Sequence, residues 1–246
     1  MLIAERRSFT VLGVRVDAVD CGAMLDTVEQ LVERGGASIA YVNVHVLNTA
    51  VRDAQLRAFL NVVDLCYCDG NGVRLGARLL GERLPKRMTG ADFIWDLAAR
   101  AEGRWRLFWI AGEPGVAEAA AARLLERYPR LQIQTEHGFH ADHSTLLARV
   151  NAFRPHVVFV GMGTPAQEYW VAAHRGRIDA PVVWAIGATA DFLSRRLSRG
   201  PAWLYRRQEW LARLITEPGR LWCRYLIGNP LFLGRVLASR FLGARY

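Results

Sequence analysis

The sequence predicts an α/β fold: a mostly parallel sheet flanked by helices in a Rossmann-like arrangement, followed by a helical, cationic C-terminal appendage. Three observations carry that prediction. Short β-branched apolar runs alternate with amphipathic stretches through the first 194 residues. Glycine and polar residues gather directly behind those runs. All of the net charge falls in the remainder of the chain.

The strand candidates are residues 9–16, 39–43, 65–68, 106–111, 131–135, 157–161 and 182–186. Helical patterns lie between them at 23–34, 71–80, 93–101, 116–128, 145–153 and 167–175. Strand–helix alternation of this kind gives a parallel sheet covered by helices. Ligands of such sheets bind outside the carboxyl ends of the strands, so the informative residues are those just after each run. With 246 residues, 52% of them hydrophobic, the chain is long enough and apolar enough to bury a core.

From Arg195 onward the pattern changes. A helical stretch over 203–216 interleaves Trp, Tyr and Leu with arginine, and Glu217-Pro-Gly219 breaks it. A second stretch, 220–227, ends at Asn229-Pro230, and a third runs from Leu231 to about Leu242. The 195–246 segment holds eleven arginines against two acids, Glu209 and Glu217, so it carries the whole net charge of +9. Short amphipathic helices rich in Arg and Trp suit a membrane interface, and the charge suits an anionic partner. A nucleic-acid partner is the rival reading of that charge. No nucleic-acid motif supports it, and the leucines recur at helical spacing rather than leaving a solvated charge run, so no nucleic acid is expected.

Other classes are excluded by what is missing from the sequence. The first residues carry Glu5, Arg6 and Arg7 with no long apolar stretch behind them, unlike a signal peptide. The apolar runs near 157–160 and 181–187 fall far short of the roughly 18–20 residues of a spanning helix. A cytoplasmic protein, peripheral on the inner face of the plasma membrane, is expected. The pair Cys66 and Cys68 is too close for the usual zinc spacing and reads as two small buried hydrophobes on one strand face. His45, His137 and His140 are spread along the chain without carboxylate company, so they read as polar core or loop residues, and no metal or cofactor is expected. Dinucleotide, P-loop and serine-hydrolase motifs are all missing.

The residues behind the strands carry the chemistry. Asp69 stands where an apolar run ends, followed by Gly-Asn-Gly72. It could take a proton from an acceptor hydroxyl, or it could cap the helix that starts near Asn71. Gly163-Thr-Pro-Ala-Gln-Glu168 has the form of a loop opening a helix, whose amides and Gln167 could hold a phosphate or a sugar hydroxyl. Thr164 as a cap, Pro165 in the first turn and Glu168 at the positive helix end is the plainer account of the same residues. Arg87-Met-Thr-Gly-Ala-Asp92 brings a guanidinium close to Asp69 in sequence, suited to diphosphate, or else forms an ordinary turn.

Together, Asp69-Gly-Asn-Gly-Val73, the span Gly76 to Gly81, Arg87-Met-Thr-Gly-Ala-Asp92, Gly163-Thr-Pro-Ala-Gln-Glu168, Gly187-Ala-Thr-Ala-Asp191-Phe192 and the tail Glu209-Trp-Leu-Ala-Arg-Leu214, Glu217-Pro-Gly-Arg220 and Arg224-Tyr225 resemble the signature of the WecG/TagA/CpsF family, glycosyltransferase family 26. The ordered match covers the chain from Asn43 to Phe232. The resemblance implies an inverting, metal-independent transfer from a UDP-sugar to an undecaprenyl-diphosphate-linked sugar. It places the base at Asp69 and substrate contacts at Asn43, Arg87, Thr89, Asp92, Gly163, Gln167, Glu168 and Asp191, with Arg213, Arg220 and Arg224 meeting the membrane and completing the site. It also implies a catalytic α/β domain over 1–194 and a membrane-surface appendage over 195–246. Three positions depart from the family pattern: Ala166 stands where Lys or Arg commonly precedes the Gln, Tyr41 replaces a Thr, and Arg207-Gln-Glu-Trp210 replaces Gly-Leu-Glu-Trp.

Overall fold

The computed structural model describes residues 6–86, 88–140, 142–196, 214–215, 218–244 and 246. Arg87, Arg213, Trp203 and Trp210 lie outside the described residues, as does the side chain of Arg220.

The chain opens with a hairpin, β1 (Ser8–Val11) and β2 (Val14–Asp17), and not with one strand over 9–16. Leu12 and Gly13 both have positive φ, 49° and 78°. That is the backbone of a two-residue turn whose twist matches its strands. Helix α1 (Cys21–Arg34) follows, with the Asp20 carboxylate accepting from Ala23 N–H at 2.9 Å. Its buried positions Met24, Leu25, Val28 and Leu31 recur at helical spacing and face the sheet. Strand β3 (Ala37–Val42) leads into α2 (Val44–Ala50) and α3 (Ala54–Val62), two helices absent from the sequence reading. Each starts on an Asx cap: Asn43 accepts from Val46 N–H and Asp53 from Leu56 N–H.

Strand β4 (Leu65–Cys68), α4 (Asn71–Leu79), α5 (Gly90–Ala101), β5 (Arg106–Ala111), α6 (Val116–Arg127), β6 (Gln132–Glu136), α7 (His143–Phe153), β7 (Val157–Gly161), α8 (Ala166–His174), β8 (Val182–Ala185) and α9 (Thr189–Leu193) continue the alternation. Cys66 and Cys68 are buried within β4. Burial pushes both thiols well above their ordinary pKa, as expected of small core hydrophobes.

Among the described residues the sheet has eight strands in the order β1-β2-β4-β3-β8-β7-β5-β6, antiparallel only between β1 and β2. The strands of the first half of the chain end at β3, and those of the second half begin beside it at β8. That junction is where a doubly wound sheet opens a crevice at its carboxyl edge. Trp184 of β8, Phe93 of α5 and Tyr67 of β4 form the aromatic core beneath it. Phe93 stacks on Trp184 at 5.2 Å, and Tyr67 meets both edge-on.

At the C-terminal end, α10 (Pro218–Trp222), a π-helical turn (Cys223–Ile227) and α11 (Gly228–Leu242) follow one another. Helix α11 docks on α2 and α4. Phe232 and Val236 join the core, and a Cβ placed on Gly76 would lie 2.6 Å from the Phe232 ring. Asn48 of α2 binds both ends of the contact, donating to Gly228 O at 2.7 Å and accepting from Arg235 at 2.8 Å. No helix among the described residues is long and apolar enough to cross a membrane.

Candidate active site

The carboxyl edge of β3, β4, β7 and β8 gathers most of the described candidate residues. Asn43 follows β3 and Asp69 follows β4. These strands are hydrogen-bonded neighbours, and the ladder is extended by Asp69 N–H donating to Val42 O at 2.8 Å. The helix after Asp69 takes Gly70 as its N-cap, so the capping reading of Asp69 does not hold. Asn43 does cap α2 through its side-chain oxygen, at 3.0 Å from Val46 N.

The loop after β7 is folded differently from a simple capped helix start. Pro165, not Thr164, is the N-cap of α8, and Gly163 has φ +81°. The Thr164 hydroxyl donates instead to Glu168 Oε1 at 3.0 Å, which also accepts from Gln167 Nε2 at 2.7 Å. Gln167 Oε1 in turn accepts from Gly187 N–H at 3.1 Å, tying the loop after β7 to the loop after β8. Gln167 and Glu168 are both fully buried. Burial raises the Glu168 pKa to about 7, against the hydrogen bonds from Gln167 and Thr164. Its Oε2 makes no hydrogen bond among the described residues.

Tyr41, the penultimate residue of β3, sits at the centre. Burial pushes its phenol up to about 12, the Glu168 and Asp69 carboxylates add to the shift, and Arg224 and the Thr164 hydroxyl oppose it. Those causes place Asp69, Glu168 and Arg224 within electrostatic reach of one ring. His45, on α2, is lowered to about 4, first by burial and then by Arg224, so it is neutral near pH 7. Arg224 lies over the Tyr225 ring at 6.0 Å. A residue of the C-terminal segment thus belongs to the surroundings of the strand-edge carboxylates.

Thr89 and Asp92 form the start of α5, where Thr89 Oγ1 donates to Asp92 Oδ2 at 2.7 Å. They border the same edge through Gly90, where a Cβ would lie 2.1 Å from the Oγ1 of Thr189, the first residue of α9. Asp191 lies in the first turn of α9, partly buried. Sequence reasoning treated Tyr41 only as a departure from a pattern and gave His45 no place in the site. Their signal is burial beside charge, which no spacing records.

An open, mostly parallel sheet with two carboxyl groups, a phenol, a neutral imidazole and an arginine at its carboxyl edge defines a Rossmann-like protein with a polar site at the switch between its halves. Residues 9–246 match the Glycosyl transferase WecG/TagA/CpsF family. The chain belongs to that family of glycosyltransferases. Proteins of Staphylococcus aureus strains NCTC 8325, COL and MSSA476, each described as N-acetylglucosaminyldiphosphoundecaprenol N-acetyl-beta-D-mannosaminyltransferase, are 24% identical to it over 250 residues, covering 97% of this chain and 97% of each relative.

One expectation about the rest of the molecule is revised: His137 and His140 do have carboxylate company, as Glu136 Oε2 is 3.2 Å from His140 Nε2. Within the cationic segment, Arg196 pairs with Glu113 at 2.7 Å and Arg235 donates to Asn48 Oδ1 at 2.8 Å.

Proposed function

We propose that this chain moves a hexose or N-acetylhexosamine-type sugar from a UDP-sugar to an undecaprenyl-diphosphate-linked acceptor, with inversion, in cell-wall or exopolysaccharide synthesis. The acceptor hydroxyl oxygen attacks the anomeric carbon as the bond to the diphosphate breaks. The hydroxyl proton passes to Asp69, and UDP leaves. The description of the S. aureus relatives favours N-acetylmannosamine as the sugar and an N-acetylglucosaminyl-diphosphate lipid as acceptor. The observation that supports this reading is the convergence of Asp69, Glu168 and Arg224 on the surroundings of Tyr41, at the edge where such sheets bind ligands.

In this reading Asn43, Gly163, Gln167 and Glu168 line the sugar side. Arg87 serves the donor diphosphate and offsets the charge that develops on it as UDP leaves, and Thr89, Asp92 and Asp191 offer partners to the donor's hydroxyl groups. Arg213, Arg220 and Arg224 meet the acceptor diphosphate, since guanidinium forks suit phosphate oxygens. Residues 195–246 act as the appendage that holds residues 1–194 to the anionic inner face of the plasma membrane. Eight large apolar side chains from Ile215 to Leu242 are exposed, among them Phe241 at 72% and Leu242 at 81%, beside several arginines. That composition partitions to a headgroup interface.

The test is UDP release from UDP-N-acetylmannosamine, UDP-glucose and UDP-glucuronic acid with a short-chain lipid diphospho-N-acetylglucosamine acceptor. Release that needs both donor and acceptor supports the reading. No acceptor-dependent release with any of these donors overturns it.

A further inference from the structure

Glu136 is the last residue of β6, at the sheet edge farthest from β1, and the chain turns after it through His137, Gly138, Phe139 and His140 before α7. One ligand atom from each of Glu136, His137 and His140 falls within 4.8 Å of the others. Glu136 is only 8% exposed, so its carboxylate is nearly withdrawn from water. Arg149 of α7 binds its Oε1, leaving Oε2 turned toward His140 Nε2 at 3.2 Å. That nitrogen is buried and makes no hydrogen bond among the described residues. The His137 and His140 rings stack at 4.0 Å, nearly parallel.

Two atoms that each lie about 2.0–2.1 Å from a tetrahedral ion stand about 3.3 Å apart. The Glu136–His140 separation already has that value. A carboxylate and two imidazoles form a donor set suited to zinc and its neighbours in the first transition row. His137 Nδ1 accepts from Phe139 N–H at 3.2 Å, which leaves its Nε2 as the ligand atom, and binding an ion would tilt its ring out of the stack with His140. Arg149 has the place of an outer partner that orients a ligating carboxylate.

We propose that Glu136, His137 and His140 form a three-ligand site for a divalent transition-metal ion such as Zn²⁺, held with a water in the fourth position. The site is separate from Tyr41 and Asp69, because β6 lies four strands from β3, roughly 19 Å at 4.8 Å per strand, and two strands from β7. Its loop nevertheless bears on that centre's framework. Gly138 N–H donates to Gly112 O at 2.7 Å, and a Cβ on Gly138 would lie 3.2 Å from Met162, next to Gly163. A bound ion therefore pins the loop that supports the turn after β7.

The experiment uses the full chain without a polyhistidine tag, stripped with EDTA and dialysed. Calorimetric titration with Zn²⁺, and visible absorption on adding Co²⁺, are expected to show one ion per chain, with a tetrahedral Co²⁺ spectrum. His140→Ala and Glu136→Gln are each expected to weaken binding by at least about 10-fold, while His45→Ala leaves it unchanged. His140→Gln keeps a polar side chain at the position should the alanine variant fail to fold, and it is expected to lose binding equally. Less than one equivalent bound by the wild type, or undiminished binding by a folded His140 or Glu136 variant, overturns the site. Neither readout uses turnover, so the result is independent of the proposed transfer reaction.

Discussion

The hydroxyl of Tyr41 occupies the place where Gly187 would carry a side chain: a Cβ built on Gly187 would lie 2.5 Å from Tyr41 Oη, and the glycine has φ +66°. Tyr41 comes from β3 and Gly187 follows β8, so the contact spans the junction between the two halves of the sheet. Gly187→Ala therefore meets both a left-handed backbone and a filled space. It is expected to cost roughly 2–4 kcal/mol in urea unfolding, and Tyr41→Ser in the same chain should recover part of the loss. An unchanged midpoint for Gly187→Ala would contradict the contact.

Asp69→Asn keeps the backbone bond to Val42 O and the size of the side chain while removing the base. Turnover is expected to fall roughly 10²–10⁴-fold, with UDP affinity and unfolding midpoint near those of the wild type. Wild-type turnover by this variant would remove Asp69 from the reaction.

Glu168 is a carboxyl group whose pKa rises in the fold, from 4.5 to about 7, chiefly through burial. The folded state thus holds its proton more tightly than the unfolded chain does. The stability this contributes is complete below the unfolded value and is lost as pH rises toward about 7. A shift of that size corresponds to about 3 kcal/mol. Glu168→Gln should flatten the decline in unfolding free energy between about pH 5 and about pH 8 by an amount of that order. A decline as steep as in the wild type would show that Glu168 ionises normally.

Phe232 anchors α11 against α4, fully buried over Gly76. Phe232→Ala is expected to destabilise the protein by about 3–5 kcal/mol. Gly76→Val should force the helix from its seat and increase proteolytic cleavage within residues 228–242. Insensitivity to both changes would mean that the C-terminal helix contributes little to the core.

Phe241 and Leu242 stand exposed beside Arg240 at the end of α11. If this surface meets the lipid interface, replacing each by Ser should reduce co-sedimentation with anionic vesicles on the order of 10-fold. High salt should weaken the remaining binding. Equal binding by the double variant would place the contact elsewhere on the chain.

Local periodicity was enough to set the class of fold. Seven apolar runs alternating with helical patterns fell on all eight strands, the first run joining β1 and β2 as one, because the repeat of buried positions along a strand or helix is a property of neighbours in sequence. The residues behind those runs named Asp69, Gln167 and Glu168 for the same reason. Short elements escaped it. The turn at Leu12 and Gly13 lacks the usual Asn-Gly signal, and α2 is seven residues long with Asn43 both its cap and a candidate site residue. The tertiary structure decided what strand order decides. It set Tyr41 beside Gly187 and brought Arg224, Asp69 and Glu168 within electrostatic reach of Tyr41. It also seated Phe232 on Gly76 and buried Glu136 against His140. Each of these contacts joins segments or orientations that no periodicity encodes, because it depends on which strand lies next to which and on how deeply each group is removed from water.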